Sequence, residues 1–298
     1  MNNLPLISSR FEEVTRTGKP LLLDGAVGSL LIQRLGEPRS KIWASQFNET
    51  HPEEVIKLHK DYITAGADII TTNTFRTNPA YREHEKDEIS RSNAIRTGVL
   101  LAQEARGASS ILIAGSNAPA EDCYQAERTL SHSFLEKNHK VHISKLMEYG
   151  ADFILNETQS HTDEIEIITQ FCASEKIPYG ISLYFTPNLK LLSGEDILPV
   201  INRIREFDPL FISFNCVSIA AFDSFISQKL FPFRWGFYLN CGTGKATDII
   251  LECGIEPDEY ASLIRRYLEL RPVLIGACCG SNPAHIRSLR KLIDEDNH

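Results

Sequence analysis

The sequence has no long hydrophobic run and no long run of basic residues. None of its apolar stretches approaches the roughly 18 residues that a membrane-spanning helix needs. Residues 1–14 carry Arg10, Glu12 and Glu13 and no apolar core, which excludes a typical secretory signal. The formal net charge of −8 disfavours nucleic acid and anionic membrane surfaces as partners, because both would be repelled on average. We therefore expect a cytoplasmic protein that binds neither nucleic acid nor membrane.

Cysteine is sparse as well. The seven cysteines are odd in number and lack the dense spacing of a secreted disulfide framework, so we expect reduced thiols in a reducing compartment. Cys278 and Cys279 are adjacent, and a disulfide between neighbours in sequence would be strained. The hydrophobic content of 42% and the charged content of 23% are those of a globular protein that can bury a core.

A glycine-rich phosphate-binding loop is missing after the first apolar segment. The stretch Asp24–Ser29 has too few glycines, in the wrong spacing, for the dinucleotide-binding turn of a doubly wound open sheet. This absence matters because such a sheet is the main alternative for a chain in which strand-like and helix-like segments alternate. The sequence therefore disfavours that architecture.

Eight short segments rich in Ile, Leu and Phe have the pattern of buried parallel strands, which are apolar on both faces. They are Pro20–Asp24, Asp68–Asn73, Ser110–Gly115, Asp152–Glu157, Pro178–Tyr184, Leu210–Cys216, Trp235–Asn240 and Val273–Cys278. Amphipathic segments lie between them, among them Glu53–Ala65, Ser131–Tyr149, Pro257–Leu270 and Pro283–Ile293. This alternation, without a break in composition, predicts one domain over residues 1–298, a single (β/α)8 TIM barrel.

Three cysteines fall at the ends of two of these strands. Cys216 ends the sixth strand, and the Cys278-Cys279 pair ends the eighth. Because a barrel gathers the carboxyl ends of its strands at one face, three thiols there can hold one soft metal ion. Three protein ligands leave a fourth position open, as in catalytic zinc sites. The alternative is that each cysteine is a small buried hydrophobic residue, which is the interpretation we adopt for Cys123, Cys172 and Cys253.

Other polar residues also follow the strands. Asp24 and Gly25 end the first strand, Asn73 the second and Glu157 the fourth. Asp24 could instead cap a helix and Asn73 could simply close a turn, whereas Glu157 is less suited to capping. His285 begins a helix, which favours a structural role.

Several stretches together resemble the homocysteine S-methyltransferase family, the zinc-dependent barrels that form methionine. The specific ones are Asn215-Cys216 and Gly276-Ala277-Cys278-Cys279-Gly280. Weaker ones are Asp24–Ser29, Ala65–Phe75, Glu157-Thr158, Ser193-Gly194, Asn240-Cys241-Gly242 and Asn282–Ile286. These matches run in order over nearly the whole chain.

The resemblance implies a site. Cys216, Cys278 and Cys279 would bind Zn²⁺, and Asp24 and Glu157, with Gly25 and Asn73 beside them, would bind homocysteine. Asn240 would occupy the open zinc position until substrate displaces it. Cys241 would not be a ligand, because successive residues on a strand point to opposite faces.

The chain departs from the family pattern in three places. Ala26 and Ala277 stand where the family has glycine, and the loop from Asn117 to Cys123 differs. Each alanine adds one methyl group. Because the loop differs from the family pattern, the resemblance does not define the donor pocket.

The methyl donor is the remaining question. The sequence ends at His298, without room after the eighth strand–helix unit for a corrinoid or folate module, so we expect a small sulfonium donor, S-methylmethionine or S-adenosylmethionine. The alternatives are a methylated corrinoid carried by a partner protein and a non-catalytic zinc- or thiol-binding barrel. A mere metal holder would need neither Asp24 nor Glu157.

Overall fold

The computed structural model describes residues 4–37, 42–81, 88–228, 232–243 and 252–295, with side chains in the third range described from residue 93. The described residues form eight strands: β1 Leu21–Leu22, β2 Ile69–Thr71, β3 Leu112–Asn117, β4 Phe153–Gln159, β5 Tyr179–Leu183, β6 Phe211–Asn215, β7 Trp235–Leu239 and β8 Leu274–Ala277. Each predicted strand is present, although β1 is two residues long where five were predicted.

The strands form one closed parallel barrel. Each pairs with its neighbour in sequence, and β1 also pairs with β8 through Leu21–Leu274 and Leu22–Ile275. A parallel bridge between Leu23 and Ile69 joins β1 to β2 and completes the ring. The predicted (β/α)8 barrel is therefore confirmed.

Eleven α-helices surround the strands within the described residues. They are α1 Leu4–Thr17, α2 Gly28–Leu35, α3 Phe47–Thr50, α4 Pro52–Thr64, α5 Glu88–Arg106, α6 His132–Glu148, α7 Thr162–Ser174, α8 Ile197–Arg205, α9 Ile219–Ile226, α10 Pro257–Leu268 and α11 Pro283–Glu295, with a 3₁₀ helix at Trp43–Gln46. None of them is both long enough and apolar enough to cross a membrane.

Local signals in the sequence fix where these helices start and stop. The Ser131 hydroxyl accepts a hydrogen bond from the Phe134 backbone N–H and caps α6. Pro52 opens α4, where its missing N–H has no intrahelical partner to lose. Gly66 and Gly150 follow α4 and α6 with φ of 103° and 99°, a backbone conformation that suits glycine.

Helix α1 precedes the barrel and was not predicted from the sequence. Its buried residues Ile7, Phe11 and Val14 pack with the first residues of several strands. The ring centroids of Phe11 and Phe211 are 5.8 Å apart, and Phe211 begins β6. Helix α1 therefore closes the amino-terminal end of the barrel, opposite the strand ends that carry the cysteines.

Candidate active site

A cavity of about 290 Å³ opens at the carboxyl ends of the strands. Seven of the residues predicted to form the site line it: Asp24, Gly25, Asn73, Glu157, Cys216, Cys278 and Cys279. Asn240 is not part of this lining. The closed barrel brings together side chains that are more than 250 residues apart in sequence, as expected for the reactive face of this fold.

The three cysteine sulfurs converge at this cavity. The Sγ atoms of Cys216, Cys278 and Cys279 all lie within 4.8 Å of one another, and they are the one such group of potential metal ligands in the part of the chain that the structure describes. The Sγ atoms of Cys278 and Cys279 are 3.9 Å apart. Tetrahedral zinc with Zn–S bonds of about 2.3 Å separates its sulfurs by about 3.8 Å. The donor set therefore fits zinc in chemistry and in the spacing of that pair.

Cys216 and Cys278 also approach each other closely, with Cα atoms 5.7 Å apart. Sulfurs that converge at one point can either bond to each other or share a cation. Metal binding by all three cysteines requires that they be in the reduced form.

Asn215 positions the neighbouring cysteine. Its Nδ2 lies 3.5 Å from Cys216 Sγ and 2.9 Å from Thr158 Oγ1, while its Oδ1 accepts a hydrogen bond from the Thr158 backbone N–H at 2.9 Å. Asn215 is buried at the end of β6. It therefore links the end of β6, next to Cys216, to the end of β4, which carries Glu157. Its role was missed from the sequence, although a polar residue at the end of an apolar strand and beside a candidate ligand was an available signal.

Glu157 is a carboxyl group in an environment that disfavours its charge. Burial raises its pKa from 4.5 to about 7, although the hydrogen bond from Ser116 and the nearby Tyr238 hydroxyl lower it. Ser116 Oγ donates directly to Glu157 Oε1. Among the described residues, Glu157 has no ion-pair partner. A cationic ligand group would supply the positive charge that this site lacks.

Asp24 is the second carboxyl group of the cavity and is 2% exposed. Its Oδ2 accepts a hydrogen bond from the Thr71 backbone N–H at 2.8 Å, and the Thr71 hydroxyl lies 3.1 Å from both oxygens. Burial raises the pKa of Asp24 well above its usual range, and the negative charge of Glu157 raises it further. Asp24 caps no helix, because α2 begins after Val27, without a side-chain cap.

The backbone around Gly25 is closely packed. A Cβ at this position would lie 2.7 Å from Ser281 Oγ and 2.9 Å from the Tyr62 hydroxyl. Ser281 Oγ also accepts a hydrogen bond from the Ala26 N–H, and Tyr62 donates to the Ala26 carbonyl. A side chain at position 25 would therefore force Ser281 or Tyr62 to move, which favours glycine there.

The two alanines that depart from the family pattern are both accommodated. Ala26 is 9% exposed and Ala277 is 2% exposed, and both pack in the main hydrophobic core. The extra methyl groups are absorbed by packing, and both residues still line the cavity.

The two predicted asparagines make other contacts. Asn73 Nδ2 donates to the Ala44 carbonyl and to Asn48 Oδ1, both at 2.9 Å, so it holds the 3₁₀ helix that carries Trp43. Asn240 Oδ1 accepts from the Gly242 N–H at 3.0 Å. Substrate contact by Asn73 and metal contact by Asn240 stay predictions.

The remaining thiols and His285 lie outside the sulfur cluster. Cys241 is fully buried, and its Sγ lies 3.7 Å from the Leu239 carbonyl oxygen. Cys123 and Cys172 are buried as predicted, but Cys253 is exposed, so the prediction of a buried hydrophobic role is wrong for Cys253. His285 is buried, with Nε2 2.8 Å from the Ile255 carbonyl oxygen, which fits the predicted structural role.

The loop that follows β3 forms part of the outer wall of the cavity. The Ala120 backbone N–H donates to Glu164 Oε1 at 2.6 Å, and Glu164 also pairs with Arg128 and His139, each at 2.7 Å. These buried contacts fix the loop against α6 and α7. As a result Tyr124, from the same loop, lines the cavity.

Comparison with known proteins agrees with this geometry. The model of the homocysteine S-methyltransferase family matches residues 21–293, so the chain belongs to that family. The homocysteine S-methyltransferase of Escherichia coli is 25% identical over 91% of this chain and 94% of its own length. The S-methylmethionine–homocysteine S-methyltransferase BHMT2 of Mus musculus is 24% identical over 87% of this chain and 74% of its own length.

A solved structure matches the fold. The crystal structure of the homocysteine methyltransferase MmuM from Escherichia coli, in its metallated form, superimposes with a TM-score of 0.79 and 23% sequence identity. The match covers 95% of this chain and 99% of that chain. The barrel described above is thus the fold of a known methyltransferase.

Proposed function

We propose that this enzyme transfers a methyl group from a small sulfonium donor to the thiol of homocysteine and forms methionine, with Zn²⁺ as its cofactor. The observation that carries this proposal is one cavity that joins three converging cysteine sulfurs to a buried carboxyl group, Asp24, and a half-buried one, Glu157. The sulfurs suit a thiophilic metal, and the carboxyl groups suit the ammonium of an amino acid. Homocysteine has both a thiol and an ammonium.

Cys216, Cys278 and Cys279 would hold the metal as reduced thiolates. Burial raises the pKa of the Cys279 thiol to about 11, so this thiol needs a cation nearby to lose its proton at neutral pH. Bound zinc would supply Lewis acidity that keeps a coordinating thiol deprotonated. Asn215 would orient Cys216 through its contact with the sulfur.

Glu157 and Asp24 would receive the ammonium group of homocysteine. Glu157 is held toward the cavity by Ser116, and Asp24 is held by Thr71. An ammonium between two carboxylates would make charge-assisted hydrogen bonds, which are the strong ones. This arrangement would orient the substrate sulfur toward the cysteines and away from solvent.

The methyl transfer would be a direct displacement. The homocysteine sulfur supplies an electron pair for the new carbon–sulfur bond, while the bond from the methyl carbon to the donor sulfonium breaks. The donor sulfur keeps that pair and leaves as a neutral thioether. The thiol proton of homocysteine goes to solvent.

A sulfonium donor fits the outer part of the cavity, where the rings of Trp43, Phe75 and Tyr124 lie. Aromatic faces attract cationic groups. The Mus musculus relative, whose name gives S-methylmethionine as its donor, supports the same choice.

The test is a donor comparison. The reduced, zinc-loaded protein would be given isotope-labelled homocysteine with S-methylmethionine, S-adenosylmethionine, betaine or a methylated corrinoid, and labelled methionine would be measured. We expect product with a sulfonium, and none from a Cys279→Ser control. Product with the corrinoid alone would replace the proposed donor class, and absence of product with every donor would favour a non-catalytic barrel.

A further inference from the structure

An opposite-charge pair lies at the outer part of the cavity, apart from Asp24 and Glu157. Arg76, from the loop after β2, and Asp122, from the loop after β3, both line the cavity. Arg76 Nη2 donates to Asp122 Oδ2 at 3.2 Å. Their side chains are 23% and 45% exposed, whereas Asp24 is 2% exposed, so the pair lies nearer to solvent than the predicted homocysteine site.

The guanidinium of Arg76 is held by stacking. It lies 4.8 Å from the ring centroid of Tyr81 and 5.9 Å from that of Trp43. Within the described part of the chain, Asp122 is its one charged partner, and the buried Nε has no acceptor. The guanidinium is therefore fixed in place, and among the described residues Asp122 accepts its one side-chain hydrogen bond.

Asp122 is likewise oriented but incompletely paired. Its Oδ1 accepts a hydrogen bond from the Tyr124 backbone N–H at 3.0 Å, which fixes the carboxylate at the turn of the loop. A partly exposed ion pair of this kind contributes only about 0–1 kcal/mol. A ligand with one anionic and one cationic group could therefore bind Arg76 and Asp122 in place of their mutual ion pair, with little loss in the stability of the protein.

We propose that Arg76 and Asp122 recognise the α-carboxylate and α-ammonium of an amino-acid methyl donor. This inference rests on the proposed function and narrows the donor from sulfonium compounds in general to those that carry an α-amino-acid group. Arg76 would bind the carboxylate, for which a planar guanidinium is suited. Asp122 would bind the ammonium.

The pair also acts against other donors. Betaine has a carboxylate for Arg76 but no N–H to donate to Asp122, and a simple alkyl sulfonium has neither group. With such a donor Arg76 and Asp122 would keep their own ion pair and form fewer hydrogen bonds to the ligand, so the donor would bind more weakly than an amino acid that engages both side chains. The donor preference of the enzyme is thus set by two side chains at the rim of the cavity.

The experiment compares three donors in wild type, Arg76→Gln and Asp122→Asn. The donors are S-methylmethionine, its decarboxylated analogue (3-aminopropyl)dimethylsulfonium and its deaminated analogue (3-carboxypropyl)dimethylsulfonium, each with saturating labelled homocysteine. Arg34→Gln is the control, because Arg34 pairs with Asp61 at the same 3.2 Å but lies outside the cavity lining. Melting temperatures of all variants show whether a loss comes from destabilisation.

We expect Arg76→Gln to lower kcat/KM for S-methylmethionine about tenfold or more, and to change it less than about twofold for the decarboxylated donor. Asp122→Asn should lower kcat/KM for S-methylmethionine but spare the deaminated donor. The control should match wild type with every donor.

Equal losses with all donors, no loss with any, or a rise in the KM of homocysteine alone would overturn the assignment. A wild type that used none of the sulfoniums would instead refute the proposed function itself, and this inference with it.

Discussion

Replacing Glu157 with glutamine should increase stability and weaken substrate binding in the same variant. Burial raises the pKa of Glu157 from 4.5 to about 7 in the folded protein. The folded state therefore holds the proton more tightly than the unfolded chain does. Between these two pKa values the folded state binds more protons, so the stability of the wild type falls as pH rises through this window.

The size of the effect follows from the shift. A pKa change from 4.5 to about 7 corresponds to a loss of about 3 kcal/mol in the free energy of unfolding. This loss is complete above about pH 7, and below about pH 4.5 there is no loss. Glutamine has the same shape and carries no charge, so Glu157→Gln should not show this loss. Any pH-independent effect of the new amide on the free energy of unfolding appears as a constant offset between the two pH profiles and does not change their difference in slope.

The assay is denaturant unfolding of wild type and variant between pH 4.5 and pH 8, with reductant and chelator so that both have the same thiol and metal state. We expect the stability difference to grow in favour of Glu157→Gln by about 3 kcal/mol across this range. Glu166→Gln is the control, because Glu166 lies on the outer face of α7 in an ion pair with Arg203. Parallel profiles for wild type and Glu157→Gln would refute the argument that this carboxyl group is destabilised by burial.

Four further outcomes follow from the site. Cys216→Ser should abolish stoichiometric zinc binding and methyl transfer, whereas Cys241→Ser should keep full zinc content by elemental analysis; zinc loss in the latter would indicate a closed four-cysteine site. Glu157→Gln should weaken homocysteine binding by about 1.5–3 kcal/mol in calorimetry while zinc content is unchanged, and equal affinity would contradict the assignment. Methionine, which has no thiol, should bind wild type more weakly as pH falls below about 7, since Glu157 then loses its charge; a pH-independent dissociation constant would argue against this role. Gly25→Ala should lower the melting temperature, because its Cβ would lie 2.7 Å from Ser281 Oγ, and an unchanged value would show that the turn can relax.

The barrel was predictable because its strands are short, apolar on both faces and regularly separated by amphipathic segments. The same pattern placed Cys216 and the Cys278-Cys279 pair at strand ends, and the fold then brought their sulfurs together. The polar side chains that hold this site were harder to predict. Asn215 and Ser116 act through partners on other strands, and the sequence pattern does not encode which side chains at the strand ends point toward each other.

Two failures have the same origin. Helix α1 lies before the first strand, outside the alternating pattern, and its position depends on the apolar opening of the barrel that it fills. Arg76 and Asp122 were likewise unremarked in sequence, because only the folded loops place them at one rim.

Helix α1 has a kinetic consequence. Its buried residues Ile7, Phe11 and Val14 pack into one end of the barrel, and the cavity opens at the other end, where the strands finish. Asp24 is buried in this cavity and Glu157 is half-buried, whereas Arg76 and Asp122 lie nearer to solvent. A donor bound at the rim would obstruct the route of homocysteine, which must therefore enter first and leave last as methionine. Initial-rate plots should intersect, as for compulsory-order addition, and parallel lines would exclude this sequence of events.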